Sequence, residues 1–347
     1  MSEDTGLHQL PGSNDGTRVV VNPFARLRPL DAHAAFIAAY DRLSGLAGIA
    51  RRPAVLVAAV DAHARVGEAV VVEAGHSLII GRHTKCGLQL KDGTLALRQL
   101  VVHAGAETPD AAPVIRLWDL NTGQPFLTED GQPNAAVIAE GPLYAAVGEY
   151  ALLLIPTRGP TGPRWPSNAE EAWRALPPRE FLDRRSPDAA RQRRRPQNKR
   201  TDGRDYATNI FKVREEYDRS SISRVGPLLM LGDDVAPEDA WGELRVEWGR
   251  TVSKHLLSLD YLDQGVLLGR YDRCGIHLAG VEGISRVHLL LVRSGEDVLA
   301  IDTASTNGTW RGGTRIQTEA LRDPDALQLA DTIRIHWRRM AGAAGGS

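Results

Sequence analysis

Between positions 269 and 309 the chain gathers residue types that suit a phosphate and the peptide carrying it. Gly269-Arg270 closes one apolar run, Ser285-Arg286-Val287-His288 opens a second, and Asp302-Thr303-Ala304-Ser305-Thr306-Asn307-Gly308-Thr309 follows a third. A guanidinium presents a planar fork of N–H donors that matches phosphate oxygens better than an ammonium does, so Arg270 and Arg286 are the first candidates. Ser285 adds a short hydroxyl donor that allows close approach, and Thr306 offers another hydroxyl from the opposite loop. Charge-assisted bonds of this kind contribute about 1.5–3 kcal/mol each.

The apolar runs must be the strands that position these clusters. Val266-Leu267-Leu268 precedes the first, Leu289-Leu290-Leu291-Val292 follows the second, and Val298-Leu299-Ala300-Ile301 precedes the third. Each cluster therefore falls where a strand gives way to a loop, and three such loops meet at one edge of a β-sandwich. The set Gly-Arg, Ser-Arg-x-His and Asp-x-x-Ser-x-Asn-Gly-Thr resembles the forkhead-associated (FHA) domain, and this sequence fills every position of that pattern. The resemblance implies a β-sandwich that reads phosphothreonine. It implies that Arg270, Ser285, Arg286 and Thr306 hold the phosphate while Asn307 bonds the peptide backbone. Gly269, His288, Asp302, Ser305 and Gly308 would support the loops, with Gly308 where the turn needs positive φ. Tyr271, Asp272, Arg273, Trp310 and Arg311 are the candidates for reading residues beside the phosphothreonine.

An earlier stretch repeats part of this pattern. Gly81-Arg82-His83-Thr84-Lys85-Cys86-Gly87-Leu88 matches Gly269-Arg270-Tyr271-Asp272-Arg273-Cys274-Gly275-Ile276 at a constant offset of 188. Such self-similarity predicts two copies of one domain. The cysteines, two in the whole chain, take the same repeat position, which makes each a small buried packing residue. Carried forward, the offset sets Leu97 against Ser285, Arg98 against Arg286 and Leu100 against His288. The turn Asp119-Leu120-Asn121-Thr122-Gly123-Gln124 is shorter than its counterpart and lacks Ser-x-Asn-Gly-Thr. The first copy thus reads as a degenerate FHA-like sandwich, with Arg82 in a structural salt bridge.

The fold class expected is all-β: two FHA-type sandwiches joined by a long, partly disordered linker, with a short N-terminal helical segment. The domains expected are a disordered tail (1–18), a helical segment (19–52), the degenerate sandwich (53–157), a Pro/Arg-rich linker with a short helix (158–240), the full FHA sandwich (241–340) and a flexible tail (341–347). Asp31 is the N-cap of a helix whose apolar stripe includes Phe36, Ile37, Tyr40 and Leu43. Asn168, Glu170 and Glu171 ahead of Pro177-Pro178 predict one short linker helix. The run from Arg184 to Arg200 is either an electrostatic arm or a solvated linker, and no aromatic residue interleaves for stacking on bases.

With 347 residues and net charge −1, nothing global points to nucleic acid or a membrane. Arginine dominates the basic residues, which with the many alanines and glycines points to a GC-rich bacterial genome. No apolar run of spanning length and no secretory signal are present, so a cytoplasmic protein is expected. Neither a zinc pattern nor a phosphate-loop, His-Glu-x-x-His or Gly-x-Ser-x-Gly motif occurs, so no enzyme, cofactor or metal is expected. The function expected is a phosphothreonine-peptide-binding adaptor in Ser/Thr kinase signalling, its first sandwich a phosphorylation-independent docking module. Its partner would be a phosphothreonine protein or the chain's own tail or linker, at Thr5, Thr201 or Thr208. The alternatives are a scaffold in a secretion or envelope assembly and nucleic-acid binding through the arginine run.

Overall fold

A computed structural model describes residues 28–105, 108, 110–120, 122–184, 219–225 and 235–340. Thr5, Thr201, Thr208, Arg185 to Arg200, both terminal tails and the Leu228–Leu231 run lie outside the described residues. Helix α1 (Ala32–Ile49) is capped by Asp31, whose Oδ1 accepts from the Ala34 amide at 2.8 Å. Eleven strands follow: β1 (Ala54–Val60), β2 (Val66–Glu73), β3 (Ser77–Gly81), β4 (Leu88–Gln89), β5 (Leu100–Gly105), β6 (Val114–Asp119), β7 (Phe126–Thr128), β8 (Pro133–Asn134), β9 (Ala136–Glu140), β10 (Leu143–Val147) and β11 (Tyr150–Thr157). Helix α2 (Ala169–Ala175) and two further strands, β12 (Arg179–Asp183) and β13 (Ser220–Arg224), come next. The remainder comprises β14 (Gly242–Trp248), β15 (Thr251–Leu257), α3 (Leu259–Gln264), β16 (Val266–Gly269), β17 (Ile276–His277), β18 (Leu289–Ser294), β19 (Asp297–Asp302), β20 (Thr309–Arg311), β21 (Thr314–Ile316), β22 (Thr318–Leu321), β23 (Asp325–Leu329) and β24 (Ile333–Arg339).

The strands form four sheets among the described residues, and the same strand order occurs twice. In the first sandwich, β2-β1-β11-β10-β7-β8 faces a sheet whose inner part runs β9-β6-β5-β3-β4. In the second, β15-β14-β24-β23-β20-β21 faces β22-β19-β18-β16-β17, the same order strand for strand. Each pair of sheets closes on its own apolar core. Leu100, Leu117, Val137 and Leu154 lie in the first; Leu244, Leu268, Leu289 and Leu291 lie in the second.

The segment expected to be linker contributes to the first sandwich. β13 pairs antiparallel with β9, and β12 pairs parallel with β13, which extends one sheet by two strands. Ser-Ser-Ile-Ser-Arg gives β13 a polar sequence, and Ile222 is its one apolar residue in the core. The backbone ladder and the Ser220 hydroxyl, which donates to the Pro142 carbonyl at 2.9 Å, hold it there. The region around α2 packs against α1: the Phe36 ring lies 6.2 Å from Trp165 and 5.5 Å from Trp173. α1 covers the outer face of β1 and β11, so every residue of β1 is buried.

The two sandwiches pack sheet against sheet. Ile79, Val101 and Trp118 of the first form one buried cluster with Leu267, Leu290, Val292 and Ile301 of the second. Polar contacts cross the same seam, among them Gln317 Nε2 donating to the Ser77 carbonyl at 3.2 Å and Arg116 donating to the Arg293 carbonyl. No helix among the described residues is long and apolar enough to cross a membrane.

Candidate functional site

β16 delivers Gly269 and Arg270, the loop before β18 delivers Ser285, Arg286 and His288, and β19 leads into the turn from Asp302 to Thr309. Backbone bonds tie the three together. The Arg270 amide donates to the Ser285 carbonyl at 3.2 Å, the Tyr271 amide to Arg286 at 3.0 Å, and the Thr303 amide to His288 at 3.1 Å. Gly269 is required by this closeness. A Cβ there would stand 2.8 Å from the Arg286 carbonyl carbon and nearer still to its oxygen.

Asp302 builds the turn from inside. Its carboxylate accepts from the Ser305 amide at 2.8 Å, the Ser305 hydroxyl at 2.6 Å and the Thr309 hydroxyl at 2.7 Å. Ser305 Oγ accepts from the Gly308 amide at 3.0 Å, and Gly308 has φ +82°. His288 is fully buried between the loops. Its Nδ1 lies 3.3 Å from the Ser285 amide and its Nε2 3.1 Å from the Gly308 carbonyl, so the partners select a neutral ring protonated on Nε2. Burial lowers the His288 pKa, opposed by Asp302 and assisted by Arg98 and Arg315.

These supports leave a defined set of polar groups with unspent hydrogen-bonding capacity, on buried Ser285 and on the exposed Arg270, Arg286, Thr306 and Asn307. Ser285 Oγ accepts the Thr306 amide at 3.0 Å, and its own proton has no acceptor among the described residues. Asn307 spends one Nδ2 hydrogen on the Gly283 carbonyl at 2.8 Å, which leaves Oδ1 open. The Arg270 and Arg286 side chains are exposed and make no hydrogen bond or ion pair among the described residues. The arrangement brings two unpaired guanidinia, the Ser285 hydroxyl, Thr306 and Asn307 to the edge of one sandwich. That is the donor set an oxyanion on a peptide requires.

Of the residues expected to read the peptide flank, two are otherwise engaged. Arg311 pairs with Glu319 at 2.8 Å and with Asp325, and Trp310 Nε1 donates to the Asn307 carbonyl at 3.0 Å. Arg273 lies over the Tyr271 ring at 5.6 Å and against Gly123 of the first sandwich.

The first sandwich is built on the same hydrogen-bond plan with different residues, and its register corrects the constant offset. The Arg82 amide donates to Ala96, the His83 amide to Leu97, and the Gln99 amide to Ile80. Ala96 therefore stands where Ser285 does, Leu97 where Arg286 does, and Gln99 where His288 does. Arg98 matches Val287, because the second sandwich has one more residue between Leu278 and Ser285 than the first has between Leu90 and Ala96. Gln99 does the histidine's work: Oε1 accepts the Ala96 amide at 2.9 Å, and Nε2 donates to Asp119 at 3.1 Å and Thr122 at 2.7 Å. Burial raises Asp119 to about 6. Arg82 is braced by the Leu95 carbonyl at 2.8 Å, and in place of the expected salt bridge it makes none among the described residues. Each cysteine donates to the loop carbonyl beside it, Cys86 to Leu97 at 3.3 Å and Cys274 to Arg286 at 3.4 Å, and burial pushes the Cys274 thiol up to about 12.

The family model for the FHA domain matches residues 266–336. This matched segment is similar to the FHA domain. It spans from β16 into β24 and includes every candidate site residue. Among solved structures, the chain is similar to the FHA-1 domain of Mycobacterium tuberculosis Rv1747, at 23% identity and TM-score 0.24, over 29% of this chain and 100% of that one. It is also similar to the FhaA FHA domain complexed with the intracellular domain of Rv3910, at 27% identity and TM-score 0.25, over 28% and 99% of the two chains. Mycobacterium tuberculosis EmbR in complex with a low-affinity phosphopeptide matches at 22% identity and TM-score 0.25, over 30% of this chain and 26% of that one. No curated protein matches the chain.

Gln99 supplies a test of His288. His288→Gln is expected to fold and to keep the loops joined at pH 7, because the first sandwich uses glutamine at the same place. A histidine with a lowered folded pKa contributes stability that is complete above its unfolded value of about 6.5 and is lost as pH falls. Wild type should therefore lose stability between neutral and acidic pH relative to the variant. His103, lowered to about 4, shifts the balance the same way and Asp119 the opposite way, but both are common to the two proteins and cancel. Urea unfolding of both at pH 7 and pH 5 measures the difference; equal pH slopes would contradict it.

Proposed function

We propose that this chain is a non-catalytic adaptor that binds phosphothreonine peptides through residues 241–340 in bacterial Ser/Thr kinase signalling. The observation that carries this reading is the state of Ser285. Its oxygen accepts the Thr306 amide and its proton has no acceptor among the described residues, while Arg286, next in sequence, and Arg270, whose amide donates to the Ser285 carbonyl, have no side-chain partner there. A phosphate of charge about −1.5 to −2 meets all three donors at once. Arg270, Ser285, Arg286 and Thr306 hold the phosphate and Asn307 the peptide backbone, while Gly269, His288, Asp302, Ser305 and Gly308 maintain the loops. The γ-methyl of threonine adds about 0.8 kcal/mol over serine when buried.

The first sandwich does not read phosphothreonine by this chemistry. Ala96, Leu97 and Gly123 replace the two hydroxyls and one guanidinium, and Arg82 alone retains its counterpart's type. Its role is protein contact independent of phosphorylation. The direct test is fluorescence anisotropy with a degenerate phosphothreonine library and its unphosphorylated form. Binding of the phosphorylated library alone is expected, with phosphoserine weaker; equal binding of both forms, or of neither, refutes the reading.

A further inference from the structure

The site-bearing turn is held from two sides. Arg98 Nε and Nη2 donate to the Ala304 carbonyl at 2.9 and 2.5 Å, and Lys85 Nζ donates to the Thr306 carbonyl at 3.3 Å. Both cations come from the first sandwich. Within the second, Arg315 takes the Ser305 carbonyl at 3.1 Å, Trp310 that of Asn307, and His288 that of Gly308. The carbonyls from Ala304 to Gly308 are thus all engaged, two of them across the seam. Ala304 has φ +59°, and Arg98 fixes the oxygen of that residue.

Lys85 differs from Arg98 in being exposed. An ammonium has three donors, and one is spent on Thr306. The other two have no acceptor among the described residues, and they sit beside the residue whose amide Ser285 holds. Its repeat counterpart, Arg273, makes the reciprocal approach to Gly123, with the Asp119 carboxylate in its field. The pairing of the sandwiches therefore brings a cation of each to the other's turn, and only the second turn carries the hydroxyl and asparagine. With Arg311 and Arg273 engaged elsewhere, Lys85 adds to the two arginines of the pocket a further cation beside the turn, with two donors unspent among the described residues.

Resting on the phosphothreonine reading, we propose that the first sandwich contributes Lys85 to the peptide site of the second, where it selects an acidic residue flanking the phosphothreonine. The full chain is titrated by anisotropy with phosphothreonine peptides carrying glutamate or alanine at each neighbouring position in turn. Wild type is expected to favour glutamate at one or more positions by about two- to fivefold, the scale of an exposed ion pair. Lys85→Ala should erase that preference, so that glutamate- and alanine-flanked peptides bind alike, Lys85→Glu should invert it, and Lys85→Arg should keep it. The preference should shrink with added salt. Unfolding midpoints of the variants should match wild type, since the side chain is exposed. Binding without a preference, or a preference surviving Lys85→Ala and Lys85→Glu, overturns the proposal alone. Absence of all phosphothreonine binding overturns the underlying reading and the proposal with it.

Discussion

Ser285→Ala is expected to weaken phosphothreonine-peptide binding by more than tenfold, and Arg270→Ala by about tenfold. Each loses a charge-assisted bond of about 1.5–3 kcal/mol, where 1.4 kcal/mol is a factor of ten. Ser285 should cost more, because its oxygen also accepts the Thr306 amide at 3.0 Å. Its removal leaves that donor unsatisfied and loosens the turn carrying Thr306 and Asn307. Arg270 is exposed and pairs with nothing among the described residues, so its loss should spare the fold. Arg270→Lys should fall between wild type and Arg270→Ala, because an ammonium keeps the charge and loses the fork. Calorimetric titration with one peptide, alongside urea unfolding, separates the two costs. Wild-type affinity in both alanine variants would place the phosphate elsewhere.

The strands that position this site were legible because each carries an unbroken apolar run. Leu289-Leu290-Leu291-Val292 does not alternate, and both of its faces are buried: Leu289 and Leu291 enter the sandwich core, while Leu290 and Val292 enter the seam. A strand covered on both faces reads as a continuous run. The same feature in Leu100-Val101-Val102 held the signal for the packing of the sandwiches, since Val101 lies in the seam and its neighbours in the core. Gln99 and Arg98 were not legible, because one extra residue in a loop shifts every later match. A chemically reasonable pairing of Arg98 with Arg286 then hides the true counterpart. Polar Ser220 to Arg224 resembled linker because its sheet membership rests on backbone bonds, which composition does not report.

The join between the sandwiches changes what the repeat means. The first sandwich has Ala96 and Leu97 where the second has Ser285 and Arg286, yet it keeps the hydrogen-bond plan of the loops: Gln99 joins Ala96 to Asp119 and Thr122 as His288 joins Ser285 to Gly308. Retaining the plan keeps the Gly81 loop in place, and that loop carries Lys85 to the second turn.

Gly269→Ala is expected to abolish measurable phosphothreonine binding while the chain still folds, with stability lower by about 1–3 kcal/mol, the usual cost of overpacking. The added methyl meets the backbone of Arg286 and Val287, which no rotamer change relieves, so the Ser285–Arg286 segment must move away from β16. That displaces the hydroxyl and one guanidinium together, in a site whose geometry must hold to about half an ångström. Gly81→Ala sets the same clash in the first sandwich, with its Cβ 2.5 Å from the Leu97 carbonyl oxygen. It should cost similar stability, because the loop plan is shared. Its effect on binding should be confined to the few-fold carried by Lys85, which the moved loop takes out of reach of Thr306. Thermal or urea unfolding and peptide titration of the two variants together test this. Equal loss of binding in both would mean that the first sandwich holds the site's geometry as a whole; unchanged binding in Gly269→Ala would remove Ser285 and Arg286 from the phosphate pocket.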